Sequence, residues 1–283
     1  MLRGIIPIAG AALLIGAATA EHAYSQTQVP AKPPAAEAAS GAAAATESQQ
    51  QAQTILMRMA EFLAGTSRFS VTMDTNYDAV QESGQKIEFG HIRKVTLDRP
   101  TRMRIEDERS DGAKTLTVFS GKEITLIDTE SNVYATAPQT GGTDETIVHF
   151  VRDLHMRLPL AVLLTSKLPK ELKNRVKSID YVEKTSIGGA PSDHLAARTD
   201  TVDFQVWVAQ GDKPLLQRVV LTYKNAPGQP EFRAQFSDWN LAPAIADATF
   251  TVKPPDGALK IAFANELPHV AANEGKPSIE KEQ

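Results

Sequence analysis

Between residues 203 and 257 apolar and polar positions alternate with a period of two. Phe204, Val206 and Val208 alternate with Gln205 and Trp207, Gly211-Asp212-Lys213-Pro214 turns the chain, and Val219, Leu221 and Tyr223 follow with Val220 on the opposite side. A sheet wetted on one face carries polar residues there. Here part of the second face is apolar too, so helices, an apolar ligand, or both must cover it. The same alternation runs earlier in the chain. Phe69, Val71 and Met73 face away from Ser70, Thr72 and Asp74, and a turn over 81–85 centres on Ser83-Gly84. Ile87 and Phe89 restart the pattern, Val95 and Leu97 keep its parity, and Arg99-Pro100 ends it. Met103 and Ile105, Leu116 and Val118, Ile124 and Leu126, and residues 132–136 make further strands around Asp111-Gly112 and Ser120-Gly121-Lys122. Residues 179–182 and 194–198 add two more. Short strands joined by tight turns predict an antiparallel barrel or a strongly curved sheet.

Two segments switch to the helical period. Ala52, Ile55, Leu56, Met59, Phe62 and Leu63 form one apolar stripe. Thr46-x-x-Gln49 and Ser48-x-x-Gln51 fit capping boxes before it, and Gly65 supplies a left-handed stop after it. This helix is expected to back the sheet or act as a lid, through Ile55, Met59 and Phe62. Ile147, Phe150, Val151, Leu154 and Leu158 share a second helical face. Pro159 interrupts it, 160–164 form a short helix, and Pro169 ends that. Inserted in a β-meander, these helices cap one opening of the barrel, with Phe150 and Leu154 as further lid residues.

The ends read differently. Met1-Leu2-Arg3 precedes an uncharged apolar run over 4–18, followed by Ala18-Thr19-Ala20 and Ala23-Tyr24-Ser25. This pattern predicts a signal peptide over 1–25, cut after Ala20 or Ser25, which directs the chain to the periplasm. A retained anchor is the alternative, although the run is shorter than the roughly 20 residues of a spanning helix. Residues 26–47, rich in Ala, Pro, Ser and Gln, read as a disordered linker, and 264–283 as a disordered tail. Between them, 48–263 form one domain.

Chemistry is sparse. The chain has no cysteine, which removes disulfides, thiol nucleophiles, thiolate metal sites and amino-terminal lipid attachment. A net charge of -4 gives no basic field for nucleic acid. Ser83-Gly84-Gln85-Lys86 has the spacing of a serine–lysine nucleophile but sits in a hairpin turn without a following Lys-Thr-Gly. Six histidines show no metal-ligand spacing, and His194 beside Asp193 reads as a surface pair. Arg102, Arg104, Glu106 and Glu108 share one strand face, either as a solvated ladder of opposite charges or as a polar rim for a headgroup or partner. The chain is therefore not expected to be an enzyme, and no cofactor or metal is expected.

Several segments carry a resemblance: Asp98-Arg99-Pro100-Thr101-Arg102-Met103-Arg104-Ile105, Gly188-Gly189-Ala190-Pro191-Ser192-Asp193-His194-Leu195, the stretch 204–224, Ser237-Asp238-Trp239-Asn240, and Phe250-Thr251-Val252-Lys253-Pro254-Pro255-Asp256-Gly257. With them the chain resembles a family of predicted periplasmic proteins of unknown function, allied to outer-membrane lipoprotein carriers (LolA/LolB-like). The resemblance implies a mainly β fold with helices, in which a curved antiparallel sheet forms an incomplete β-barrel closed at one mouth by helices. It also implies an interior that shelters a lipid or lipoprotein acyl chain. Relatives often carry cysteine near Ser192; its absence here implies no disulfide or thiol role.

A sixteen-carbon chain buried in such a barrel gains on the order of 12 kcal/mol before ordering costs, at roughly 0.8 kcal/mol per methylene. The candidate lining is Phe69, Val71, Met73, Phe89, Leu97, Met103, Ile105, Val206, Val208, Leu221 and Phe236. The same residues would also form a filled core, and periodicity does not separate the two. The expected function is non-enzymatic binding of an acyl chain. The alternative is an envelope-stress regulator of the same fold that binds a membrane protein.

Overall fold

The computed structural model describes residues 35–263, with side chains from residue 46 onward. The expected signal peptide and disordered tail lie outside the described residues. The chain divides into two units, 1–41 and 42–283. Of the first, only the opening of a helix is described.

Among the described residues twelve strands form one sheet: β1 (Arg68–Val80), β2 (Lys86–Asp98), β3 (Arg102–Arg109), β4 (Lys114–Phe119), β5 (Glu123–Asp128), β6 (Val133–Pro138), β7 (Ser178–Ile187), β8 (Ala190–Arg198), β9 (Val202–Ala209), β10 (Leu216–Tyr223), β11 (Glu231–Asn240) and β12 (Leu259–Lys260). Their spatial order is β12-β6-β5-β4-β3-β2-β1-β11-β10-β9-β8-β7. All pairings are antiparallel except β12 on β6. Among the described residues β7 and β12 end the order without meeting, so the barrel is open, as the resemblance implied.

The helices are α1 (Ala35–Gly65), α2 (Thr143–Val148) and α3 (Leu168–Arg175), with a π-helical turn over His149–Asp153 and a 3₁₀ turn over Ala161–Leu164. Residues 139–177 connect β6, beside one end of the sheet, to β7 at the other. This connection carries α2, the two turns and α3. Its Ile147, Phe150, Leu154, Leu158, Leu164 and Leu168 are buried in one core with Ala52, Leu56, Met59, Ala60 and Leu63 of α1.

Register defines the inner face. Phe69, Val71 and Met73 pair with Leu97, Val95 and Arg93, which pair in turn with Met103, Ile105 and Asp107. Directly opposed residues share a face, so one inward surface runs across the sheet. The outer face also buries apolar residues. There Val118 and Ile127 are buried, and so is Phe250 of the carboxyl-terminal segment. Arg102 lies 4.8 Å over the Phe250 ring and pairs with Asp247 at 2.7 Å, while Arg104 donates to the Thr249 carbonyl at 3.3 Å. The charged ladder thus grips the chain's own segment at its Arg102 and Arg104 end. Its other members form surface pairs, Arg104–Glu106 at 2.8 Å and Lys114–Glu108 at 3.1 Å. Farther along, Trp207 is covered by His194, stacked at 4.1 Å, and by Arg218.

Four local expectations are corrected. First, α1 begins at Ala35, so neither capping box opens it and part of the expected linker is helical. The alanine-rich run has the highest intrinsic helix propensity, which a composition argument about burial overlooks. Second, Gly65 closes α1 without a left-handed turn. Thr66 instead satisfies the last carbonyls, its N–H donating to Leu63 and its hydroxyl to Phe62. Third, Pro169 lies in the first turn of α3 and begins a helix, because its missing N–H falls among donors that have no partner there. Fourth, the second apolar helix breaks into α2 and the π turn, which leaves Val151 exposed while Ile147, Phe150 and Leu154 stay buried.

Candidate functional site

The inner face is filled in its middle and hollow to either side of it. Over β9 and β10 lies a cavity of about 250 Å³. Its floor is Val202, Phe204, Val206, Leu216, Val219 and Leu221. A strict alternation would send Leu216 to the other face from Val219 and Leu221. The register shift between Leu216 and Arg218 brings all three inward. The roof comes from Leu56 and Met59 of α1, Leu160, Ala161, Val162 and Leu163 of the 3₁₀ region, and Leu168, Leu172 and Val176 around α3. The polar residues of the wall are Glu171, Arg175, Thr199 and Thr201, with Arg175 and Thr201 exposed, so the rim lies there. Glu171 and Arg175 pair with each other at 2.8 Å. A mostly apolar pocket with a few polar groups at its edge has the make-up of a ligand site.

In the middle of the face the gap shrinks to about 20 Å³, enclosed by Phe69, Val71, Met73, Phe236, Trp239 and Leu158 among others. That is room for a single water. Trp239 stacks on Phe236 at 5.9 Å, tilts against Phe69 at 5.4 Å, and donates its indole N–H to the Leu216 carbonyl at 2.9 Å. A third space of about 300 Å³ lies over β3–β6, walled by Ile105, Leu126, Ala135, Phe150 and Leu158 but also by Asp107, Asp128 and Arg157.

The expected lining residues therefore separate. Val206 and Leu221 border the large apolar cavity with the lid residue Met59. Phe69, Val71, Met73 and Phe236 surround the small gap, and Ile105 with Phe150 borders the polar-ended space. Val208 and Ile55 border an outer groove beside α1. Leu97, Met103 and Leu154 are buried and border none of these spaces; they are packing. Phe62 is half-buried against the core. Phe89 is a correction: its parity is inward, but it is 44% exposed, because the β1–β2 hairpin outruns the helices that cover the face.

A polar cluster interrupts the inward apolar surface. Arg93, 5% exposed, forms a two-pronged ion pair with Asp107 at 2.7 and 3.3 Å. The His91 Nε2 lies 3.8 Å from the same carboxylate. Burial, then the charge of Arg93, holds the His91 imidazole below its ordinary range, against the pull of Asp107 and Asp74. The signal for this cluster was present in the sequence as charges at the parity of Val95 and Ile105. His194 is a second correction. It is buried, bonded through Nε2 to Gln205 at 2.9 Å, while the neighbouring Asp193 accepts from Tyr181 and Gln210. Among the described residues no group of three or more His, Asp or Glu side chains is placed to hold a metal, and no helix is long and apolar enough to cross a membrane.

The sequence of residues 52–264 matches the model of the family described as predicted periplasmic protein (DUF2092). This chain belongs to that family. The matched span opens at Ala52, the first buried residue of α1 among those described, and closes just after the buried Phe263, so it holds every wall of the cavity. No curated protein matches the sequence. Among solved structures, the chain is similar to an uncharacterised conserved protein from Thermus thermophilus (13% identity, 75% of this chain and 99% of that one, TM-score 0.44). It is also similar to the lipoprotein LppX of Mycobacterium tuberculosis (12% identity, 68% and 97%, TM-score 0.42) and to a LolA superfamily protein from Nitrosomonas europaea (12% identity, 71% and 97%, TM-score 0.35).

Proposed function

We propose that this protein is a non-enzymatic periplasmic carrier that shelters an acyl chain of a lipid or lipoprotein in the cavity over β9 and β10. One observation carries the reading: about 250 Å³ of space walled almost wholly by aliphatic side chains and opening beside Arg175 and Thr201. A cavity of about 150 Å³ accepts benzene, so this one has room for on the order of ten carbons by the same measure. A headgroup would remain at the rim, near the Glu171–Arg175 pair. In this reading the leader is removed after Ala20 or Ser25.

Protein purified without detergent is expected to carry lipid detectable by mass spectrometry, and delipidated protein to take up a fluorescent fatty acid. Protein that is empty on purification and takes up no probe would remove the reading. A second reading, a regulator that binds a membrane protein of the envelope, is favoured by β7. It ends the sheet order and exposes Val182 at 49%, and such an edge accepts an added strand. Affinity capture recovering one inner-membrane protein, with no bound lipid, would favour it over the carrier.

A further inference from the structure

The inward face carries an apolar feature beyond the cavity. Tyr77 and Phe89 stack with centroids 5.8 Å apart, yet stand 41% and 44% exposed. Ile87, inward by the same parity, is 39% exposed. An exposed aromatic cluster on a soluble domain marks a contact surface. Strand register shows where this one leads. Phe89 pairs with Tyr77, Tyr77 with Phe232, Phe232 with Leu221, and Leu221 with Phe204. All five side chains share the inner face, and Leu221 and Phe204 are cavity floor. Four strand spacings give a continuous apolar row of about 19 Å from the exposed pair to the hollow.

The platform beneath the pair is held firmly. On the outer face Arg233 bonds Asp78 at 2.9 Å and Glu88 at 3.0 Å, tying the hairpin to β11. Lys86 donates to the Gln229 carbonyl at 3.0 Å. Gly228, at φ +72°, lies so close to Val80 that an added Cβ would sit 2.8 Å from its methyl group. The aromatic pair is thus a fixed apolar surface, in line with a row that runs through the buried Phe232 to the cavity floor.

We propose that Tyr77 and Phe89 are the landing site for a lipid bilayer surface, from which an acyl chain passes along this row into the cavity. The proposal rests on the carrier reading. The row favours a lipid over a docked protein, because a protein partner has no use for an apolar path that ends in a hollow. The chain's net charge of -4 favours a zwitterionic surface over an anionic one.

The test is transfer of tritiated decanoic acid, a chain of the size the cavity admits, from phosphatidylcholine vesicles to the protein, followed by rapid-quench separation of protein from vesicles, beside equilibrium uptake of the same probe from buffer. For wild type the transfer rate should rise with vesicle concentration. In the double variant Tyr77→Ser, Phe89→Ser the rate should fall about tenfold and lose that dependence, as expected when two aromatic side chains leave an apolar contact. The Kd from buffer should stay within about twofold, since neither residue borders the cavity. If the double variant fails to fold, Phe89→Ser alone is used. Transfer as fast as wild type, with uptake from buffer intact, would overturn the landing site and leave the cavity standing. If wild type takes up no probe from buffer, the carrier reading falls and this proposal falls with it.

Discussion

Filling the cavity should separate hollow from core by free energy alone. Leaving about 250 Å³ of apolar-walled space empty costs on the order of 6 kcal/mol at about 24 cal/mol per Å³, an upper bound because the rim is open to water. Ala161 lies in the 3₁₀ turn of the roof. In Ala161→Phe the added ring enters that space and recovers part of the deficit, so stability should stay within about 1 kcal/mol of wild type or rise. Val71→Phe makes a similar enlargement where only about 20 Å³ is free, and should cost about 1–3 kcal/mol through displaced neighbours. Binding should show the opposite order. Ala161→Phe denies a ligand at least two methylenes of burial, about 1.6 kcal/mol, and should weaken uptake of a fluorescent fatty acid about tenfold. Val71→Phe should leave uptake unchanged. Urea denaturation of the delipidated proteins gives the first comparison and fluorescence titration the second. If Ala161→Phe destabilises as much as Val71→Phe, or binds as wild type does, the space is not an apolar hollow and the reasoning fails.

Two further outcomes follow from the ionic groups. Arg93→Met strands the Asp107 carboxylate in a site where its side chain is 18% exposed, and should cost about 3–5 kcal/mol by urea denaturation; adding Asp107→Leu should recover most of that, whereas an unrecovered loss would place the importance of Arg93 in packing. Burial works to raise the Asp78 carboxyl, but the hydrogen bond from Arg233, that from the Glu231 N–H and the charges of Arg233 and Lys86 outweigh it and hold the group below its ordinary 3.8. Because the folded value is depressed, the stabilisation is fully present above 3.8 and is lost as pH falls through the lower folded value. Arg233→Gln should therefore flatten the acid limb of the plot of Tm against pH, and an unchanged acid limb would assign it to other carboxylates.

Strand placement was legible because parity survives in sequence: Phe69, Leu97, Met103, Ile105 and Val206 all face inward as alternation requires. What alternation cannot encode is which inward positions meet a neighbour. Phe89 has the correct parity and no cover, since the helices do not reach the hairpin tip. Leu216 has the wrong parity and a place in the cavity floor, because one irregular pairing resets the strand. Charge at inward parity, at Arg93 and Asp107, was readable but needed the β2–β3 register to become a pair rather than two anomalies. The outer apolar residues of β9 and β10 were legible as a problem, and the cover of Trp207, by a stacked His194 and by Arg218, depended on cross-strand register.

Why the hollow lies over β9 and β10 follows from side-chain volume against a roof of limited depth. The middle of the face presents Phe69, Phe236 and Trp239, large enough to meet Leu158 and Leu164 from above and leave space for one water. Over β9 and β10 much of the floor is short and β-branched, with Val202, Val206 and Val219, and the roof above carries Ala161. The connection from β6 to β7 cannot sink further to close the gap. Its course is set by the need to pass from one end of an open sheet to the other, and it is pinned where the Arg99 guanidinium donates to the carbonyls of Thr66 and Leu164. The open sheet requires a roof, and a roof fixed at its edges over short side chains leaves an apolar hollow.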